Sequence, residues 1–303
     1  MDFALLVFFN KTLAHPVLDV MVIGVTIGIY FILPGAAIFA FMKQQQQIGQ
    51  AILIAILITF VLSWFFQIFA LSPRPVDVRL IWPQPNFPSF PSGHTAAAFA
   101  VAAVVSLSFR QLRLQIMVFA VAVLIGLSRM YLGLHFFSDI FGGAVLGASV
   151  GAACFGLLVS QATGFQKWRW FLWLQIAIVI ILTQMSYLDL PPDHKFAFKH
   201  TDKIAHFFLF GAVTFWLNIW LNGRRKSILQ VNIPIAILLP FVLAFIEEAV
   251  QFFSPYRTLS LTDLLSDLAG MLCFWWLSEK LLKYWKANIY VESKTKQLET
   301  ISE

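Results

Sequence analysis

The stretch PSGHTAAAFAVAAVVSLSF, residues 91–109, decides how the chain is read. From Thr95 onward it is an apolar run of Ala, Val, Phe and Leu, broken only by small hydroxyl residues. That composition suits a helix packed inside a membrane bundle, where small side chains let backbones approach. The rest of the chain repeats the theme. Of 303 residues, 59% are hydrophobic and 12% are charged, against about 25% charged in average soluble domains. Apolar segments long enough to cross a bilayer recur at about 18–42, 49–71, 94–109, 114–131, 138–160, 170–187, 204–221, 228–247 and 264–282. The expected fold class is all-α: a polytopic helical membrane protein with about nine transmembrane helices. The short alternating segments of an outer-membrane barrel are absent.

The formal charge of +6 is distributed as an orientation signal, not as the basic stripe that nucleic acid requires. Lys43, Arg110, Arg113, Lys167, Arg169, Arg224, Arg225 and Lys226 fall in one set of loops, and Lys280, Lys283 and Lys286 follow the last span on the same side. The positive-inside rule places that side in the cytoplasm of a bacterial inner membrane. The opposite connections, 72–93, 129–137, 188–203 and 248–263, carry the unusual polar residues, so function is expected on the periplasmic or outer face. MDFALLVFFNKTLAHP, residues 1–16, lacks the basic start and cleavage site of a signal peptide and reads as a short interfacial helix. Cys154 and Cys273 lie inside apolar runs and read as packing residues. QQQQ at 44–47 is expected as a turn, and the polar tail 285–303 as a disordered cytoplasmic segment.

Three pieces on the outer side form a candidate anion site. Ser-Pro-Arg-Pro at 72–75 supplies Arg74. Residues 91–94 supply Ser92, Gly93 and His94 at the start of a helix, where free backbone N–H groups and the helix dipole favour a negative ligand. SRMYLGLHFFSD, residues 128–139, supplies Arg129, His135 and Asp139. Arginine forks match phosphate oxygens. His135 and Asp139 are four apart and share a helical face, so the carboxylate can orient one imidazole nitrogen and leave the other to attack or to take a proton. His94 is a second imidazole suited to protonating a leaving oxygen. Taken singly, either His fits a structural hydrogen bond and Arg129 a snorkelling side chain. The combination of three span ends on one face is what points to a site.

These pieces resemble the signature of the type 2 phosphatidic acid phosphatase (PAP2) superfamily: Lys, six residues, Arg-Pro; then Pro-Ser-Gly-His; then Ser-Arg, five residues, His, three residues, Asp. The resemblance covers about residues 1–160, within a domain expected at 1–165. It implies a PAP2-type helical bundle and a phosphatase that needs no metal or other cofactor. His135 would form a phosphohistidine, Asp139 would orient it, and His94 would protonate the leaving group. Arg74, Arg129, Ser92 and the Gly93 amide would hold the phosphoryl oxygens. The chain departs at the first position, where Gln67 stands for the family lysine. Gln67 retains a hydrogen-bond donor but brings no charge: either another cation, such as Arg79, compensates, or the activity is reduced or the substrate unusual.

A second constellation follows residue 166. DKIAHFFLFG, residues 202–211, carries Asp202, Lys203 and His206. FIEEAVQFFSPYRTLSLTDLLSDLAG, residues 245–270, carries Glu247, Glu248, Gln251, Arg257, Asp263 and Asp267. Helical spacing puts Lys203 with His206, Glu247 with Gln251, and Asp263 with Asp267. Charges at this depth pair with each other or mark a polar path. The stretch 185–282 resembles the VanZ-like family, with Asp267 where that family more often has Asn, and 166–284 is expected to be a second, fused membrane domain. The family implies little chemistry.

Three function classes fit. The first is an integral-membrane lipid phosphatase acting on a mono- or diphosphate ester such as undecaprenyl diphosphate, phosphatidic acid or phosphatidylglycerophosphate. The second is a non-catalytic envelope protein that binds a lipid-linked precursor or a glycopeptide antibiotic. The third is transport of a lipid headgroup through the second half. The expected partners are the lipid substrate and the bilayer, without nucleic acid.

Overall fold

The computed structural model describes residues 2–70, 72–161, 164–187, 201–228, 230–251 and 261–302. Arg257, His194 and His200 lie outside the described residues, as do the side chains of Asp202, Glu248 and Gln251. Ten α-helices run through the described chain: α1 Asp2–Val7, α2 Pro16–Met42, α3 Gln46–Ala70, α4 Gly93–Ser108, α5 Leu112–Tyr131, α6 Phe137–Cys154, α7 Phe171–Tyr187, α8 Thr201–Trp220, α9 Ile235–Gln251 and α10 Leu261–Ser302. A π-helical turn, Phe8–Thr12, extends α1, another, Phe155–Val159, extends α6, and a 3-10 turn, Gly164–Trp170, leads into α7. Pro16 opens α2 at a position where its missing N–H costs nothing, and His15 caps it by accepting from the Val17 amide at 3.2 Å. The turn after α2 places Gln44 in the left-handed region, at φ 59°.

Each expected apolar segment coincides with a helix, with corrections at two places. Five helices, α2, α3, α5, α6 with its π turn, and α8, are long and apolar enough to cross a membrane among the described residues; α4 and α9 are shorter apolar helices. The eighth segment does not begin as helix at 228. A two-stranded hairpin, β1 Arg225–Ile228 and β2 Val231–Pro234, precedes α9, because β-branched residues and Pro234 delay helix entry. The polar tail is helical: α10 continues to Ser302. Its Lys, Glu, Gln and Leu residues are good helix formers that extend an already nucleated helix at little cost. Cys154 is buried as expected, whereas Cys273 is exposed on α10.

The chain divides into two compact units, Met1–Gln161 with Ile176–Pro192, and Ala162–Gln175 with Asp193–Glu303. The later part of α7 groups with the first unit.

In the first unit, α4 and α6 make the closest pairing. Gly143, Gly147 and Gly151 recur every four residues along one face of α6. A Cβ on Gly143 would lie 2.5 Å from the Ser92 carbonyl oxygen, and one on Gly147 or Gly151 would collide with the carbonyl of Ala96 or Ala100. Opposite them, α4 buries Ala96, Ala97, Ala100 and Ala103. Backbone-to-backbone approach of this kind replaces the missing hydrophobic drive between helices in lipid. It sets the start of α4 directly against the start of α6. Helices α3 and α5 flank α4, and α2 packs on both.

In the second unit, α8 and α10 pair in a similar way, where a Cβ on Gly270 would collide with the Phe207 carbonyl. Asn218 Nδ2 donates across that pair to Ser278 Oγ at 2.9 Å and to Glu279 Oε1 at 3.1 Å.

Candidate active site

The close approach of α4 and α6, together with the 72–91 connection, gathers the three motifs of the first unit around one cavity of about 420 Å³. Arg74, Gly93, His94, Arg129, His135 and Gln67 line it, with Tyr30, Phe60, Trp64, Trp82 and Phe87 forming an aromatic wall.

His135 lies in the short connection between α5 and α6, and Asp139 in the first turn of α6. His135 Nδ1 is 3.3 Å from Asp139 Oδ2, which also accepts the Phe136 amide at 2.9 Å. Ser89 Oγ lies 3.3 Å from the other carboxylate oxygen. Asp139 is thus fully buried yet held from three directions, as a buried carboxylate requires. Burial pushes the His135 imidazole below the usual histidine range, against the opposing pull of the Asp139 carboxylate. The neutral ring, with Nδ1 toward Asp139, leaves Nε2 with its lone pair available as a nucleophile.

Arg74 is anchored by carbonyls: Nε donates to Phe87 at 2.7 Å, Nη1 to Leu134 at 2.9 Å and Nη2 to Pro88 at 3.4 Å. Its guanidinium also lies 5.1 Å from the Phe87 ring centre. The rest of the fork remains for an anion. Arg129 is 1% exposed, so it does not snorkel. Its Nη2 donates to Thr26 Oγ1 at 2.5 Å and to Ser128 Oγ at 3.0 Å. The His94 Nε2 atom is 3.1 Å from Tyr30 Oη.

Two expected residues stand elsewhere. Ser92 is wholly buried and does not line the cavity: its hydroxyl accepts from Thr95 Oγ1 at 3.0 Å, and its amide donates to the Asp139 carbonyl at 3.0 Å. Arg79 does not take the place of the missing lysine. Its Nη1 grips both Asp19 oxygens, at 3.0 and 2.8 Å, its Nε donates to the Asn10 carbonyl at 3.2 Å, and it lies 5.3 Å from the Tyr131 ring centre. The Asp19 bond raises the Arg79 pKa. Gln67 itself donates to the Pro91 carbonyl at 3.0 Å. The cations of the cavity are therefore Arg74 and Arg129, with two imidazoles beside them.

Sequence reasoning missed Thr26, Tyr30 and Ser89. Ser89 sits in the proline-rich approach to the second motif. Thr26 and Tyr30 belong to an apolar span, where hydroxyl groups four residues apart on one face were the available signal.

In the second unit, two of the three expected pairs, Lys203 with His206 and Asp263 with Asp267, face each other across α8 and α10. Lys203 Nζ bonds Asp263 Oδ1 at 2.9 Å, and His206 Nδ1 lies 3.0 Å from Asp267 Oδ1. Glu247 is half-buried on α9.

Residues 46–163 match the family model of the PAP2 superfamily, so the first unit contains a PAP2 superfamily domain. A 68-residue stretch is 41% identical to phosphatidylglycerophosphatase B of Bacillus subtilis (strain 168), covering 20% of this chain and 34% of that protein. The chain thus spans about a third of the length of the curated relative it matches. The crystal structure of LpxE from Aquifex aeolicus is 33% identical, with a TM-score of 0.43, over 50% of this chain and 93% of that one.

Proposed function

We propose that the protein is an integral-membrane lipid phosphatase that works through a phosphohistidine. The observation that carries this reading is the convergence of His135, His94, Arg74 and Arg129 on one cavity, with Asp139 behind His135. His135 Nε2 attacks phosphorus as the bond to the lipid oxygen breaks. Asp139 holds the Nδ1 proton and stabilises the positive charge that develops on the ring. His94 gives a proton to the departing oxygen, then takes one from the water that releases phosphate. Arg74, Arg129 and the Gly93 amide hold the phosphoryl oxygens, supplying without metal the charge that the transition state needs.

The substrate is a phosphate or diphosphate ester of a membrane lipid: phosphatidic acid, phosphatidylglycerophosphate or undecaprenyl diphosphate. The match to a phosphatidylglycerophosphatase supports that class. The aromatic wall beside the cations suits a headgroup whose tail stays in lipid. The loop charges support a site facing the periplasm of a bacterial inner membrane.

One observation favours binding without turnover: Gln67 is uncharged and committed to the Pro91 carbonyl. On that reading the chain, with its VanZ-like second domain, would hold a lipid-linked precursor or a glycopeptide. Phosphate release from a lipid panel by wild type, His135→Ala and Gln67→Lys decides between the two. A phosphatase loses release with His135→Ala; equal background from all three leaves the binder.

A further inference from the structure

Two hydroxyl side chains of α2 complete the cavity from outside the three motifs. Thr26 and Tyr30 are four residues apart, hence on one helical face, and both line the cavity. Thr26 Oγ1 accepts from Arg129 Nη2 at 2.5 Å, and Tyr30 Oη lies 3.1 Å from His94 Nε2. Helix α2 ends at Met42, before the family match begins at residue 46. Motif reading therefore assigns neither residue.

His94 needs such help. It sits in the first turn of α4, and the torsion that turns an imidazole about its own bond is soft. Two rings confine it edge-on: that of Tyr30 with centres 5.7 Å apart, and that of Phe60 with centres 6.5 Å apart, both at 83°. Rings restrict the plane but do not choose between the two nitrogens. A hydrogen bond to one nitrogen does, because it holds that nitrogen on the hydroxyl and leaves the other to face the departing oxygen. Among the described residues, Tyr30 is the group that makes this bond.

We propose that Tyr30 is a positioning residue that holds the His94 ring for protonation of the departing lipid oxygen. The inference rests on the phosphatase reading above. As the bond between phosphorus and the alkoxide oxygen breaks and His135 bonds to phosphorus, the proton passes from the His94 imidazolium to that oxygen. Tyr30 acts through His94 and touches no reacting atom.

A proton donor matters only when the leaving group needs a proton. The test therefore compares dioleoyl phosphatidic acid in micelles, which leaves as an alkoxide, with p-nitrophenyl phosphate, whose phenolate leaves unaided. Wild type, Tyr30→Phe, His94→Ala and the double variant are assayed on both. The expected result is a loss of about tenfold or more in kcat for Tyr30→Phe on the lipid and a larger loss for His94→Ala. Tyr30→Phe should keep most of the first-turnover burst of p-nitrophenolate, a step that needs no proton donor, His94→Ala should lose less of that burst than of the lipid rate, and the burst amplitude also reports the folded fraction of each preparation. The double variant should be no slower than His94→Ala. Equal loss on both substrates by Tyr30→Phe, no loss on either, or a further loss in the double variant overturns the inference. If His94→Ala itself shows no contrast between leaving groups, the general-acid role of His94 falls and the positioning role falls with it. If His94→Ala shows the contrast and Tyr30→Phe does not, only the Tyr30 inference fails.

Discussion

The main-chain amide of Ser92 donates to the main-chain carbonyl of Asp139 at 3.0 Å. The start of α4, which carries His94, is thereby bonded to the start of α6, which carries Asp139, the partner of His135. This bond exists because α6 presents Gly143, Gly147 and Gly151 to the α4 backbone, with no room for a side chain between them. Gly147→Val is expected to force the helices apart. Overpacking of a close interior contact costs about 1–3 kcal/mol, read as a fall in the unfolding temperature in detergent. Activity should fall further than stability, since His94 and His135 move relative to each other. A variant with wild-type stability and turnover would show that the two helices tolerate separation.

Asp139→Asn tests the dyad without changing its shape. The amide can still accept the Phe136 amide, but it cannot hold a cationic imidazole ring by charge. In an enzyme where a carboxylate orients a histidine, the same change costs about 10⁴ in kcat. Here the expected loss is about 10²–10⁴ in kcat, with KM nearly unchanged because Asp139 is buried behind His135 and does not line the cavity. A change confined to KM would remove Asp139 from the chemistry.

The pH profile follows from the burial of His135. On the proposed mechanism only its neutral form attacks, and burial holds its pKa below the ordinary value near 6.5. Full activity is therefore retained as pH falls through 6.5 and is lost only below that, as the depressed pKa is crossed. The Asp139 carboxylate opposes the depression, so Asp139→Asn should move the acid limb of kcat/KM to still lower pH while lowering its plateau. An acid limb at or above 6.5 in wild type would contradict a buried neutral nucleophile.

Much of this site was legible because its signals are local. Apolar run lengths marked the helices, and the spacings within Pro91–His94 and Ser128–Asp139 put the right side chains on one end of the bundle. What was illegible depends on partners distant in sequence. Arg79 looked like a spare cation until Asp19, sixty residues earlier, was found holding it. Ser92 looked like a phosphate ligand, yet its amide serves Asp139 and its hydroxyl serves Thr95. Tyr30 carried no motif at all. The helical tail and the hairpin before α9 were misread for a different reason: polar composition does not stop a nucleated helix, and hydropathy does not distinguish a short strand from a helix start.

Gln67 offers the last prediction. It is buried and lines the cavity, where the family pattern has a lysine. With Arg79 tied to Asp19, no other cation among the described residues makes up the difference. Gln67→Lys should restore a charge beside the phosphoryl oxygens and raise kcat/KM on a lipid phosphate by about ten- to a hundredfold, below the full value of one preorganised donor because the Pro91 bond is lost. Arg79→Ala should leave kcat and KM unchanged while lowering the unfolding temperature, since Asp19 loses its ion pair and the 72–91 connection loses one of its bonds to Asn10. If instead Arg79→Ala lowers turnover with stability intact, Arg79 does serve the phosphate site. If Gln67→Lys lowers turnover, the amide itself is tuned to the substrate and its bond to Pro91 is part of the machinery.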